Sequence, residues 1–155
     1  MTKTSSKAAL LHICLQDLHA GKVLLVERLP ALAEASRDPA LATLLSTETA
    51  RASDAMARLA EAGGDMAGPA NLWMTGILDD ADRDADSHEP GLLLDVALIG
   101  AVRKAKAAEI VSSETAIALA GAIGDIAIAA AVTADRDDEI ATDRALADRL
   151  AALLA

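Results

Sequence analysis

Cysteine, dense basic runs and strand-forming patterns are all scarce in this chain, and each scarcity removes a class of protein. Cys14 is the single cysteine among 155 residues, so no intrachain disulfide can form and nothing marks an oxidising compartment. A small core thiol is its expected role. Only 14 lysines and arginines face 24 aspartates and glutamates, giving a formal net charge of −10. That balance repels a phosphate backbone or an anionic membrane surface, and no basic cluster interrupts it, so neither nucleic acid nor a membrane is an expected partner. The opening segment, Met1 to Lys7, leads into mixed polar and apolar residues, without the continuous apolar stretch that a signal peptide needs. The expected location is the cytoplasm. One mostly apolar segment, Thr115 to Ala134, could mislead a hydropathy scan. Its centre is Gly124-Asp125, however, so it reads as two buried helix ends joined by a turn. No nucleophile motif, phosphate loop or dinucleotide fingerprint is present.

What the chain does have is alanine, a 53% hydrophobic composition and helical periodicity. Together these indicate one all-α domain spanning residues 1–155. Thr4-Ser5-Ser6 offers capping hydroxyls for a first helix carrying Leu11, Cys14, Leu18, Leu25, Leu29 and Leu32 on one stripe. Pro30 falls inside it and is expected to bend it or loosen its last turns, and Asp38-Pro39 closes it. A second helix is expected over 40–62, stopped by Gly63-Gly64. The link that follows contains a short helix over 71–81 with Trp73 and Met74, read as a hydrophobic plug over one bundle end. The acidic run 79–89 lacks the glycine and glutamate spacing of a calcium loop, so it is expected to cross solvent. Two further helices are expected over 92–123 and 126–154, separated by Gly124-Asp125. Two short connections and one long one give an antiparallel four-helix bundle with ferritin-like connectivity and a short extra helix between helices 2 and 3.

The informative residues are charges on the inward stripes. Lys22 stands between Leu18 and Leu25, and Glu48 stands in the series Leu41, Leu45, Glu48, Ala52, Ala55, Leu59. The third helix gives Ile99, Val102, Lys106, Glu109, and the fourth gives Val132, Arg136, Glu139, Asp143, Leu146. Isolated buried charges are costly, so charges at similar depth on four antiparallel helices are expected to meet: Lys22, Glu48, Lys106, Glu109, Glu139 and Asp143. Taken alone, each lysine could instead snorkel to the surface. His12, His19 and His88 are scattered and read as surface or core-edge residues.

Asp17-Leu18-His19-Ala20-Gly21-Lys22, Leu29-Pro30, Asp38-Pro39-Ala40-Leu41, the stretch from Leu45 to Met56, Met74-Thr75-Gly76-Ile77-Leu78, Asp95 to Ile99, Glu109-Ile110 and Glu139 to Asp143 recur in order. In that order and spacing the chain resembles the bacterial YciE/YciF-like group of stress-associated ferritin-like proteins over nearly its whole length. The resemblance implies a bundle whose interior carboxylates hold a pair of metal ions, iron or manganese, and matches Glu48, Glu109, Glu139 and Asp143 to that ligand set. The departures are Lys22 and Lys106 where the family offers carboxylates, Ala52 and Ala107 in place of polar or histidine partners, and His19, Ala108 and Ser113 at positions where tyrosines are common. A protonated ammonium cannot ligate a metal. Exchanging two carboxylates for two lysines adds four positive units, the charge of two divalent ions.

Two functions follow from this resemblance. The first is a non-catalytic pseudo-ferritin, a stress-associated structural or interaction protein without cofactor, dimerising through an exposed helix face, with the lysines as built-in counter-ions. The second is a residual di-metal protein with oxidase or peroxidase activity. A helical sensor or adaptor unrelated to ferritins would be favoured if the four inward charges lay at different depths.

Overall fold

The computed structural model describes residues 3–155 and contains five helices: α1 (Lys7–Ala35), α2 (Pro39–Gly63), α3 (Leu72–Ser87), α4 (Leu92–Ile123) and α5 (Ile126–Leu153). Four of the five starts carry a side-chain cap. Ser6 accepts a hydrogen bond from the Ala9 amide, Asp38 from Leu41, Asn71 from Met74 and Asp125 from Ile128, each satisfying an amide that the helix leaves unpaired. Pro39 occupies the first turn of α2, where its missing N–H costs nothing. Gly124 ends α4 in the left-handed region at φ 75°, a conformation that glycine adopts without a Cβ clash.

The two short connections set α1 antiparallel to α2 and α4 antiparallel to α5. The pairs close into a bundle in which α1 packs on α2 and α4, and α2 packs on α5. α3 lies outside this ring, along the groove between α1 and α4. Three expectations change. The third helix in chain order is longer than 71–81, because Asp79 to Ser87 continue it: Ala81 is fully buried and Arg28 of α1 pairs with Asp79 and Asp82. Pro30 does not loosen the last turns of α1: it sits on the exposed side and the helix stays α-helical to Ala35. Trp73 and Met74 pack on the flank rather than over a bundle end. Met74 is wholly buried, and the Trp73 indole Nε1 donates to Asp17 of α1 at 2.8 Å. Asn71 Nδ2 donates to the Asp17 carbonyl at 2.8 Å. A Cβ on Gly21 would stand 3.0 Å from Asn71 Nδ2, so glycine there lets α3 approach.

The stretch from Thr115 to Ala134 is indeed two helix ends meeting at Gly124. Among the described residues it is α1 that is long and apolar enough to cross a membrane by composition, yet its leucine stripe is packed inside the bundle. Cys14 is half-buried, at the edge of the core rather than within it.

The core is divided. One apolar cluster gathers Leu25, Leu29, Leu41, Leu45, Leu98, Ile99, Val102 and Leu146 with Met74 and Leu78 of α3. The other gathers Leu11, Leu15, Leu18, Leu59, Ala116, Ala120 and Val132 toward the opposite end. Between them, at mid-length of all four long helices, lies a layer of charge.

Candidate functional site

A charged layer at mid-bundle

Lys22 of α1, Glu48 of α2, Lys106 and Glu109 of α4, and Glu139 of α5 are each at most 4% exposed, and they meet. The Lys106 ammonium donates to Glu48 Oε1, lies 2.7 Å from Glu109 Oε2 and 2.6 Å from Glu139 Oε2. The Lys22 ammonium donates to Glu139 Oε1 and lies 2.7 Å from Glu109 Oε1. Glu109 and Glu139 thus bridge both lysines, and Glu48 pairs with Lys106. The expected contact of Glu48 with a lysine is present, and both ammonium groups are inside rather than at the surface. Glu109 meets both ammoniums off the hydrogen-bond axis, so neither of its oxygens has a well-directed donor.

The second oxygen of Glu48 accepts from the Thr142 hydroxyl at 2.9 Å, and Thr142 accepts in turn from Arg51 Nη1 at 2.9 Å. This chain of donors ties the buried layer to an exposed arginine on α2. Thr142 stands where Asp143 was expected. Asp143 lies outside the layer, 29% exposed, where Arg103 Nε donates to it at 2.7 Å. Likewise Asp135, not Arg136, faces inward: it is 3% exposed and accepts from Arg58 Nε at 2.7 Å, while its other oxygen has no partner. On α5 the series 132, 136, 139, 143, 146 and the series 132, 135, 139, 142, 146 are both runs of three and four, so periodicity alone does not separate them. The charge of Asp143 demands a partner, and the neighbouring Arg103 supplies one at the surface. Asp143→Asn is accordingly expected to change the unfolding free energy by less than about 1 kcal/mol, as for an exposed pair. Chemical denaturation checks it, and a loss as large as that from truncating a buried lysine would return Asp143 to the layer.

Of the positions where the family resemblance suggested lost ligands, Ala52 is buried at the level of the layer, but Ala107 faces solvent. No side chain at 107 could reach the centre. Ser113 is buried and His19 half-buried. The histidines contribute nothing to the layer.

Two ammoniums and three carboxylates leave one negative charge in a site shielded from water. Burial alone would raise the carboxyl of Glu139, but Lys106 and then Lys22 more than offset this and hold it at about 2. Burial raises Glu109 above the ordinary range, and the two lysines offset only part of that. For both lysines burial opposes the charge, and Glu109, with Glu139, outweighs it and raises them. Stability should therefore decline in two windows. The depressed Glu139 contributes stability above its ordinary value of 4.5, which is lost as pH falls toward 2. The raised lysines contribute stability below their ordinary value of 10.5, which is lost as pH rises beyond it. Thermal melts across pH check the prediction; a melting temperature flat between pH 5 and pH 2 would contradict the acid arm.

A family model described as a domain of unknown function (DUF892) matches residues 6–155. The chain belongs to this family. The crystal structure of the E. coli stress protein YciF superposes with a TM-score of 0.93 at 22% identity, over 97% of this chain and 98% of that one. YcfI from Rhodopseudomonas palustris, provisionally described as a structural protein, superposes with a TM-score of 0.88 at 22% identity, over 92% and 93%. At these identities the likeness establishes the fold, a YciF-like, ferritin-like bundle. No curated protein matches the chain in sequence.

Proposed function

We propose that this member of the family is a non-catalytic pseudo-ferritin: a structural or interaction protein, stress-associated like YciF, in which Lys22 and Lys106 take the place of metal charge. The observation that carries this reading is the position of Lys106 Nζ, which touches Glu48, Glu109 and Glu139 at once. Those three carboxylates each offer an oxygen within 4.8 Å of the others, the arrangement that would suit a cation. A cation is already there, covalently attached to α4. A second, Lys22, bridges Glu109 and Glu139 on the other side. The residues present do not fit a di-metal centre: two of the inward positions carry ammoniums, no histidine faces the layer, and every carboxylate is committed to a lysine.

The rest of the reading is a protein of the cytoplasm, without cofactor, nucleic-acid partner or membrane partner, that works as a homodimer. The fold is compatible with this, and the family likeness to a stress protein and to a provisionally structural one supports the broad class.

The second reading, a residual iron or manganese protein with oxidase or peroxidase activity, draws on the closeness of the three carboxylates. Metal analysis separates the two. Protein purified from cells grown with iron and manganese should carry well under one equivalent of either, and adding ferrous or manganous ion should leave its melting temperature unchanged. Stoichiometric metal that resists dialysis and is lost in Glu48→Ala would overturn the pseudo-ferritin reading.

A further inference from the structure

The bundle is two helical hairpins, α1/α2 and α4/α5, each closed by a short turn, so the wall around the charged layer parts most readily along the two seams between hairpins. α3 lies over one of them, between α1 and α4. The other, between α2 and α5, carries no covering helix among the described residues. The pairs Asp38 with Arg149, Arg51 with Thr142 and Arg58 with Asp135 set its antiparallel register. Large apolar side chains close this seam at its ends, Leu41, Leu45 and Leu146 at one, Leu59 and Val132 at the other. The middle differs. Between Glu48 and Leu59, about 16 Å of helix at 1.5 Å per residue, the residues that α2 buries are Ala52 and Ala55, and the register sets them against the turn of α5 that carries Glu139. Between Val132 and Leu146, α5 buries Asp135, Glu139 and Thr142.

Two arginine side chains close this middle stretch from α2. Arg51 is exposed, and its bond across the seam goes to a neutral hydroxyl, from Nη1 to Thr142 at 2.9 Å. Arg58 is 37% exposed, and its Nε and Nη2 both reach Asp135 Oδ1, at 2.7 and 2.5 Å. The same Nη2 lies 3.2 Å from Asp138 on the outer surface, so Arg58 keeps an anion to hold when it swings away from Asp135. Its guanidinium borders a shallow depression of about 360 Å³, with Glu61, Ala62, Ala127 and Ala131, and solvent stands beside it. Behind the arginines the polar groups continue inward. Thr142 donates to Glu48. Asp135 Oδ2, turned from Arg58, is buried without a hydrogen-bond partner. Burial raises the Asp135 carboxyl, and Arg58 and then Lys22 offset part of that, which puts it within electrostatic reach of the layer. A buried oxygen of this kind is satisfied by water.

We infer that the middle of the α2/α5 seam is a gate for water to the charged layer, with the side chains of Arg51 and Arg58 as its two leaves. With both in place the layer is shielded. When either swings out, only alanines and polar groups remain in the way, and water reaches the Thr142 hydroxyl or Asp135 Oδ2 while the apolar ends of the seam stay packed. Exposed side chains change rotamer far faster than a bundle unfolds, so the layer exchanges with solvent in the folded protein.

Exchange of the Lys22 and Lys106 ammonium hydrogens with solvent, read by NMR of the full chain labelled with heavy nitrogen at lysine, tests this. Wild type should show both signals. Arg51→Ala should speed Lys106 exchange on the order of tenfold, while the slowest backbone amides, which report global unfolding, keep their wild-type rates. The apolar pair Arg58→Leu/Asp135→Leu should shut its leaf and slow Lys22 exchange. Arg28→Ala, which loosens α3 on the opposite seam, should change neither ammonium. If the leucine pair does not fold, Arg51→Ala against Arg28→Ala decides by itself; if it folds and Lys22 exchanges as before, Arg58 is no part of the gate. Ammonium signals already lost to fast exchange in wild type, no change in Arg51→Ala, a gain matched by the slowest amides, or an equal gain in Arg28→Ala would each overturn the inference.

Discussion

Lys106→Ala should lower the unfolding free energy by about 3–5 kcal/mol, the cost typical of leaving buried charge without its partner. Lys106 is wholly buried and touches all three glutamates of the layer. Its removal changes the net charge of the layer from −1 to −2 and opens a cavity beside Glu48. For a domain of this size the melting temperature should fall by roughly 10 °C. The companion experiment removes a lysine together with an acid. Lys22 donates to Glu139, so Lys22→Met/Glu139→Leu takes out one charge of each sign and keeps the net at −1, with Lys106 still pairing Glu48 and Glu109. That double variant should lose far less than Lys22→Ala alone, because well-packed apolar replacements of a buried pair are often neutral. The appropriate partner for Lys22 is thus Glu139, whereas Glu48 belongs to Lys106. Equal melting of Lys22→Ala and the double variant would show that the lysine and the acid are not coupled.

Lys22→Glu/Lys106→Glu should create a centre that binds divalent metal. Two unit charges about 4 Å apart interact with roughly 4 kcal/mol at an effective dielectric near 20, so each ammonium strongly opposes a divalent ion placed among the carboxylates. The double substitution removes both and leaves five carboxylates with a charge of −5, which cannot all remain ionised in a buried layer. Without metal the variant should be destabilised and partly protonated. Manganous or ferrous ion should then restore it by mass action, by about 2.7 kcal/mol at a hundredfold excess over the dissociation constant. The measurement is thermal melting of both proteins with and without metal, alongside metal content after dialysis. If the variant gains no stability from metal, the lysines are not what keeps the centre closed to cations. If the wild type gains as much as the variant, they do not keep it closed at all.

Helix number, the inward stripes of α1, α2 and α4 and the location of the charged layer belong to the sequence. α2 shows why: Leu41, Leu45, Glu48, Ala52, Ala55 and Leu59 are all buried as their spacing requires, since any helix with that pattern has a single apolar face to turn inward. Lys22, Lys106 and Glu109 were legible for the same reason, each being a charge that interrupts such a face. The cap Ser6 was legible because capping is decided within four residues, whereas Asp38 and Asp125 read only as parts of the turns they occupy. What lay beyond the sequence was every choice between two allowed registers or partners. On α5, Thr142 and Asp135 face the core where Asp143 and Arg136 fit the periodicity equally well, because Arg103 and Arg58 on neighbouring helices decide which carboxylate is paired where. The length of α3 was hidden by its polarity: Asp79 and Asp82 read as loop residues until Arg28 of α1 is placed beside them. The pairing of Lys22 with Glu139, and of Lys106 with Glu48, likewise depends on which helices adjoin in the bundle. Periodicity is a local property of one helix, whereas the partner of a charge is fixed by the packing of helices distant in the chain, and only the tertiary structure contains that information.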